Sequence, residues 1–286
     1  MNIYTSLALS IVMFSSSAYA AEQASTLDLI EKSGKIRVGY RESEPPMSYL
    51  DDKGKPIGYS IDLCARIVTG VRTRLNKPEI SVEYVPVSST NRFTALSDNR
   101  IDILCGSTTK TLSRGEIVDF TQLTFVTGAS LLSLRPNPID NVADLQGKKV
   151  AVAKNTTTIV ALKDALKNAF TEAEVVAVDS AAAGLKAMQN GEVDAFSSDQ
   201  VVLIGLVLAS DDPKRFIVAR QLFSFEPFAL AVRRNDADFR LVADRVLSHL
   251  YRSGQISQIY ARWFGRFSEQ MPTAVQAVFA VNSTPE

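Results

Sequence analysis

Between residues 35 and 200 the sequence alternates, almost without a break, between short apolar runs and longer stretches of helical periodicity. "KIRVGY" (35–40), "ISVEYVP" (80–86), "IDILC" (101–105), "GASLLSL" (128–134), "KKVAVA" (148–153) and "VDAF" (193–196) read as strands. Between them the spacing predicts a helix from about Ser60 to Leu75, with Ser60 as its N-cap and Ile61, Cys64, Ile67, Val68 and Val71 on one face. It also predicts a short helix over 91–98 and a longer one over 156–170, where Ile159, Leu162, Leu166 and Phe170 align. The end of the chain, "DADFRLVADRVLSHLYR" and "GQISQIYARWF", is helical. Parallel strands need a crossover long enough to hold a helix, so this alternation predicts an α/β fold with mostly parallel sheets.

A chain of 286 residues has room for one large domain or two of ordinary size. An internal echo favours two. "ALSDNRIDILCGS" (95–107) and "AMQNGEVDAFSSD" (187–199) share a helix end, a polar turn, a strand and then hydroxyl residues. Two similar lobes would each deliver a polar strand end, and ligands of open α/β sheets bind beyond such ends, where loops and helix N-termini converge.

Several function classes drop out early. The formal charge is zero, which gives no footprint for nucleic acid. One histidine, His249, and two cysteines, Cys64 and Cys105, leave no material for most zinc sites or for a His-based triad with a histidine to spare. The Gly147-Lys148 pair lacks a glycine at Val142, so it is no P-loop. No metal and no cofactor is expected.

The first twenty residues are of a different kind. Leu7 to Phe14 is an apolar run too short to span a bilayer, followed by three serines and an A-x-A site at Ala18-Tyr19-Ala20. We expect a signal peptide over 1–20, cleaved after Ala20, and an exported chain starting near Ala21. No cysteine follows that site, so no lipid anchor is expected. Export bears on Cys64 and Cys105: a helix packed on a sheet could join them, which would stabilise by roughly 3–4 kcal/mol in the chain-entropy model. Two buried free thiols are the alternative, and the sequence leaves both open.

The polar strand ends carry the chemistry. They read Tyr40-Arg41-Glu42-Ser43, then Val87-Ser88-Ser89-Thr90-Asn91-Arg92, then Ser107-Thr108-Thr109 with Arg114, then Asn155-Thr156-Thr157-Thr158 and finally Ser197-Ser198-Asp199. A hydroxyl after a strand is commonly an N-cap, but capping does not call for arginines. Three arginines and many hydroxyls against one aspartate, Asp199, with Glu42 the other acid at these ends, describe a cradle for a small anion. Trp263 and Phe264, at helical spacing from Ile256, Ile259 and Tyr260, read as core of the last helix, and His249 as structural.

The segments "GYRESEPPMSYLDDKGKPIGYSIDLC", "VSSTNR", "CGSTTKTLSRGEIVDFT", "DLQGKKVAVAKNTTT", "AFSSD" and "IYARWFGRF" run in order over nearly the whole mature chain. Together they resemble the periplasmic solute-binding proteins of amino-acid ABC transporters, in their glutamate/aspartate-binding branch. The resemblance implies a two-lobe clamp in the periplasm, with lobe 1 discontinuous (21–125 and 227–286), lobe 2 over 126–226, and hinge crossings near Thr124–Gly128 and Ser224–Phe228. It implies an acidic amino acid as ligand, a membrane-embedded ABC permease as partner, a monomer, and no catalysis. By the same resemblance Arg114, with Ser107 and Thr109, takes the ligand's α-carboxylate. Asp199 takes its ammonium, and Thr156 and Thr157 donate from lobe 2. Arg41, Ser89 and Arg92 hold the side-chain carboxylate.

Two departures stand out. In the branch it resembles, some close relatives carry a histidine lining the cleft near the segment that here reads "VDSAAAG" (178–184), where this chain has Ala181 or a neighbour. Three arginines and one aspartate around a ligand of charge −1 also leave a surplus of about +1, which Glu42 or Glu44 could offset. Two competing functions share the scaffold: a cyclohexadienyl dehydratase-like enzyme, which needs a positioned acid or base, and a ligand sensor acting through a partner.

Overall fold

The computed structural model of the chain describes residues 24–267 and 270–286; the expected signal peptide and its cleavage site lie outside them. The chain opens with α1 (Thr26–Ser33), β1 (Lys35–Tyr40), the short strands β2 (Ser43–Glu44), β3 (Ser48–Leu50) and β4 (Pro56–Ile57), and α2 (Tyr59–Leu75). It continues through β5 (Ser81–Pro86), α3 (Arg92–Ser97), β6 (Ile103–Cys105), α4 (Leu112–Gly115) and β7 (Val118–Thr127). A second series follows: β8 (Ala129–Leu134), β9 (Lys149–Ala153), α5 (Thr157–Asn168), β10 (Glu174–Val178), α6 (Ala181–Gln189), β11 (Ala195–Asp199), α7 (Gln200–Ala209) and β12 (Phe216–Val218). The chain then returns as β13 (Glu226–Arg233), α8 (Ala237–Arg252), α9 (Gln255–Phe264) and α10 (Thr273–Val281).

These strands form two five-stranded sheets, ordered β5-β1-β6-β13-β7 and β10-β9-β11-β8-β12, and β2-β3-β4 make a small third one. The expected alternation of strand and helix is present, with one correction. Each large sheet carries antiparallel pairings, β13 against β6 and β7 in the first, β8 against β11 and β12 in the second. These arise where the chain passes from one sheet to the other. Strands β7 and β13 themselves carry no clean alternation of burial and were not legible as strands.

The internal echo marks equivalent positions. Asp102, just before β6, accepts from the Arg37 N–H at 2.7 Å while its own N–H donates to the Arg37 carbonyl at 2.8 Å. Asp194, before β11, makes the same pair of bonds with Lys149, both at 2.8 Å. In each sheet an aspartate therefore pins the incoming strand to the start of the first one, fixing register and the point at which the strand end opens.

Helix α2 buries the predicted face, Ile61, Cys64, Ile67, Val68 and Val71. Its N-cap is Gly58 and not Ser60, because the Met47 carbonyl oxygen would lie 2.4 Å from any Cβ there and φ is +137°. The Ser60 hydroxyl donates instead to the Gly106 carbonyl at 3.0 Å, holding the backbone just after β6. Cys64 and Cys105 are disulfide-bonded, which ties α2 to the last residue of β6. Helix α5 buries Leu162 and Leu166, but Phe170 falls past its end with φ +51° and stands exposed. Phe264 packs 5.1 Å from Tyr59 and 4.9 Å from Phe125 in the core, and Trp263 donates to Asp62 at its edge.

The two passages between sheets lie side by side. Ala129 N–H donates to the Ser224 hydroxyl at 2.9 Å, and Phe223 N–H to the Ala129 carbonyl at 3.0 Å. Gly128 is required between them: a Cβ would meet the Ser224 carbonyl oxygen at 2.3 Å.

Candidate functional site

Every strand end singled out in the sequence points toward one cleft between the sheets. From the first sheet the cleft is lined by Arg41, following β1, by Arg92, the first residue of α3, by Ser107 and Thr109, following β6, and by Arg114 on α4. Glu44 on β2 joins them. From the second sheet come Thr156 and Thr157 at the start of α5 and Asp199 at the end of β11, together with Ala181, Ser197 and Ser198. Ser89 is buried beside this group without lining it; its carbonyl accepts from Arg92, and its hydroxyl has no partner among the described residues. His249 lies on α8, away from the cleft. From the segment near which the resemblance implied a histidine, Ala181 puts a methyl group in the wall.

Local structure explains how each side chain is presented. Thr111 caps α4 by accepting from the Arg114 N–H at 3.2 Å, and the Arg114 guanidinium donates to the Thr109 carbonyl at 2.7 Å. Arg92 donates to the Ser89 carbonyl and, across the cleft, to the Asn155 carbonyl at 3.0 Å. Asn155 reaches that position with φ +54°, in the turn from β9 to α5. Both guanidinium groups lie over the Phe93 ring, Arg92 at 4.5 Å and Arg114 at 5.5 Å from its centroid, a favourable cation–π placement. Thr156 is the residue before α5, but its hydroxyl donates back to the Ala153 carbonyl at 2.7 Å.

The expected charge inventory needs correcting. Two further carboxylates enter the site, so three arginines meet three acids. Glu44 forms a buried ion pair with Arg41 at 2.7 Å and accepts from the Ser107 hydroxyl at 2.6 Å. Glu42, the other candidate, is exposed. Glu226, at the start of β13, was missed altogether. It accepts from the hydroxyls of Thr109 at 2.5 Å, Thr157 at 2.8 Å and Ser224 at 2.7 Å, joining both faces of the cleft to the second passage between sheets.

What remains unpaired is specific. Among the described residues neither Arg92 nor Arg114 has a carboxylate ion-pair partner, and Asp199, almost fully buried, has an Oδ1 without a hydrogen bond. Burial lowers the pKa of both guanidinium groups. For Arg92, Arg114 and Arg41 add to the effect and Glu44 opposes it; for Arg114, Glu226 and Asp199 oppose it and Arg41 adds to it. A guanidinium stays cationic at neutral pH, so this strain is a demand for an anion. Burial, then Glu226 and Glu44, pushes the Asp199 carboxyl well above its ordinary range, against Arg114 and a hydrogen bond from its own backbone. That is the matching demand for a cation. No group of three His, Cys, Asp or Glu side chains among the described residues is placed to hold a metal ion.

Comparison with known proteins gives a consistent picture. The model for bacterial extracellular solute-binding proteins, family 3, matches residues 36–266. The L-glutamate/L-aspartate-binding protein of Pseudomonas aeruginosa is 34% identical over 260 residues, covering 91% of this chain and 86% of that one. The glutamate/aspartate import solute-binding protein of Escherichia coli K12 is 31% identical over 258 residues, covering 90% and 85%. Among solved structures, an ancestral amino acid-binding protein that is a precursor of cyclohexadienyl dehydratase superposes with a TM-score of 0.71 at 27% identity, covering 84% of this chain and 100% of that one.

Proposed function

The chain belongs to family 3 of the bacterial extracellular solute-binding proteins, and from that premise we propose that it captures an acidic L-amino acid in the cleft and hands it to a membrane-embedded ABC permease. The observation that carries this reading is the unpaired set around one space: the buried Arg92 guanidinium, the half-buried Arg114 guanidinium and the buried Asp199 carboxylate. An acidic amino acid brings two carboxylates and one ammonium, the complement of that set, and burial makes each charge require its partner. The names of the two curated relatives, both binders of glutamate and aspartate, support the same ligand class.

In this reading Arg114 takes the α-carboxylate bidentately, with Thr109 beside it, and Asp199 takes the ammonium. Thr156 and Thr157 meet the ligand from the α5 end, where exposed N–H groups favour an anion. Arg92, backed by Ser89, faces the side-chain carboxylate. The lobes divide at the two passages, Gly128 and the segment before Glu226, and bending there opens and closes the cleft. We place the protein in the periplasm as a non-enzymatic receptor. The disulfide fits an oxidising compartment, and no helix among the described residues is long and apolar enough to cross a membrane.

A thermal-shift panel of the twenty amino acids, followed by isothermal titration, tests the reading. Glutamate or aspartate should give the largest stabilisation and the tightest binding; a basic or aliphatic amino acid in first place would sink it. One observation favours a second reading. The raised Asp199 carboxyl could serve as a general acid, as a dehydratase on this scaffold would need. Phenylpyruvate formed from prephenate by the pure protein would move the assignment to an enzyme.

A further inference from the structure

The side-chain end of the cleft holds a carboxylate of the protein's own. Glu44 is bound through both oxygens, one on the Arg41 guanidinium at 2.7 Å and the other on the Ser107 hydroxyl at 2.6 Å. The pair is nearly closed off from solvent, with side-chain exposures of 8% for Arg41 and 11% for Glu44. The backbone after β6 also packs closely on the pair: a Cβ on Gly106 would come within 2.9 Å of the Arg41 stem, with Glu44 Oε2 in ordinary contact at 3.8 Å. Both residues line the cleft. The Glu44 charge raises the pKa of Arg92, on its own side of the cleft, and of Asp199, at the end of β11 in the second sheet.

A carboxylate arriving at Arg41 would therefore meet another carboxylate one guanidinium away, and like charges at that distance repel strongly in a buried site. Arg92 is bound to carbonyls alone, so it carries no bonded carboxylate and feels Glu44 only at longer range. The end of the cleft thus offers a donor, Arg92, beside an acceptor, Glu44, with Arg41 consumed between them. A carboxamide has the matching pair of groups, a carbonyl oxygen to accept and an NH2 to donate.

We propose that Glu44 is a specificity-determining residue, which removes Arg41 from ligand binding and lets the cleft admit a carboxamide side chain, that of glutamine or asparagine, beside the carboxylate. This rests on the reading of the cleft as an amino-acid site and narrows its ligand class. It assigns the selectivity for negative charge to Arg92 and makes that selectivity modest, because the resident carboxylate works against it.

The test is isothermal titration of glutamate and glutamine into the wild type, Glu44→Gln and Glu44→Ala. The wild type should bind glutamine within about thirtyfold of glutamate. Both variants should widen that ratio by roughly tenfold or more, with glutamate binding strengthened and glutamine binding weakened, as expected when a buried like charge is removed. A merely structural Glu44 would lower both affinities in parallel and leave the ratio alone, and that result, or a narrowed ratio, overturns the proposal. Failure of the wild type to bind glutamate sinks the acidic-ligand reading by itself. The inference about Glu44 survives that outcome only if the variants gain glutamate binding, and it falls if they do not.

Discussion

Gly205 on α7 presses against the carbonyl of Pro45, so closely that a Cβ at 205 would lie 2.1 Å from that oxygen. Pro45 belongs to the turn between β2 and β3 beside the first sheet, and α7 follows β11 of the second, so the contact spans the cleft. It joins two others of the same kind: Arg92 to the Asn155 carbonyl at 3.0 Å, and the Thr109 and Thr157 hydroxyls 3.3 Å apart. A methyl group at 205 has to push the lobes apart, and overpacking of this sort costs about 1–3 kcal/mol. Gly205→Ala should therefore weaken every amino-acid ligand in the same proportion, by about tenfold, and leave the order of ligands unchanged. Isothermal titration with three or four amino acids checks this; an altered order would place Gly205 in recognition and not in closure.

Arg114 and Arg92 share the Phe93 ring, but the proposed reading gives them different parts of the ligand. Arg114→Ala should cost about 3 kcal/mol, roughly a hundredfold, for all amino acids, since each carries an α-carboxylate. Arg92→Ala should fall chiefly on glutamate and aspartate, and on glutamine only a few-fold. Uniform losses from both variants, measured by titration, would count against this division of roles.

Much of this site could be read from the sequence because the signal is local. An apolar run followed by hydroxyls and an arginine places those side chains at a strand end; the resemblance singled out Arg41, Arg92, Ser107, Thr109, Arg114, Thr156, Thr157 and Asp199 among them, and all eight line the cleft. Glu226 carries no such signal. It starts β13 behind an exposed Phe225, and it faces the cleft only because the chain has come back to the first sheet. Glu44 lies three residues from Arg41, yet nothing local separates it from Glu42; the hairpin β2–β3 turns one inward and leaves the other in solvent. Ser60 has the chemistry of an N-cap, but the Met47 carbonyl forces a glycine at 58 and moves the helix start upstream. In each case a contact distant in sequence overrides a sound local preference.

The disulfide should matter for stability more than for binding. Cys64 and Cys105 close a loop with a sequence separation of 41, which constrains the unfolded chain by roughly 4 kcal/mol in the entropic model. Denaturant unfolding of the double variant Cys64→Ser/Cys105→Ser should show a loss of about 2–4 kcal/mol. Neither sulfur lines the cleft, so the glutamate affinity of the folded variant should change by less than about threefold, an effect below 1 kcal/mol. A collapse of affinity with folding intact would mean that the link positions Gly106 and Ser107 for the ligand.

Ligand binding should depend on pH through Asp199, the proposed ammonium site. Burial and the nearby Glu226 and Glu44 raise its carboxyl well above the ordinary carboxylate range, so between the unfolded value, about 3.9, and the folded one the native protein holds a proton the unfolded chain has released. Its contribution to stability is thus fully present below that lower limit and is lost as pH rises through the folded value. Asp199→Asn removes the penalty, and the ligand-free variant should melt higher than the wild type at neutral pH, with a flatter dependence on pH. Binding runs the other way. The ligand's ammonium supplies the missing cation, lowers the Asp199 pKa in the complex, and so expels a proton across the same window; affinity therefore rises with pH there. Titrations in buffers of different ionisation enthalpy should record that release in the wild type and none in Asp199→Asn. The variant should also bind at least about thirtyfold more weakly, the loss expected when one partner of a buried charge pair is removed. A variant that binds as tightly as the wild type, or a wild type that takes up no part in proton exchange at any pH, would move the ammonium site away from β11.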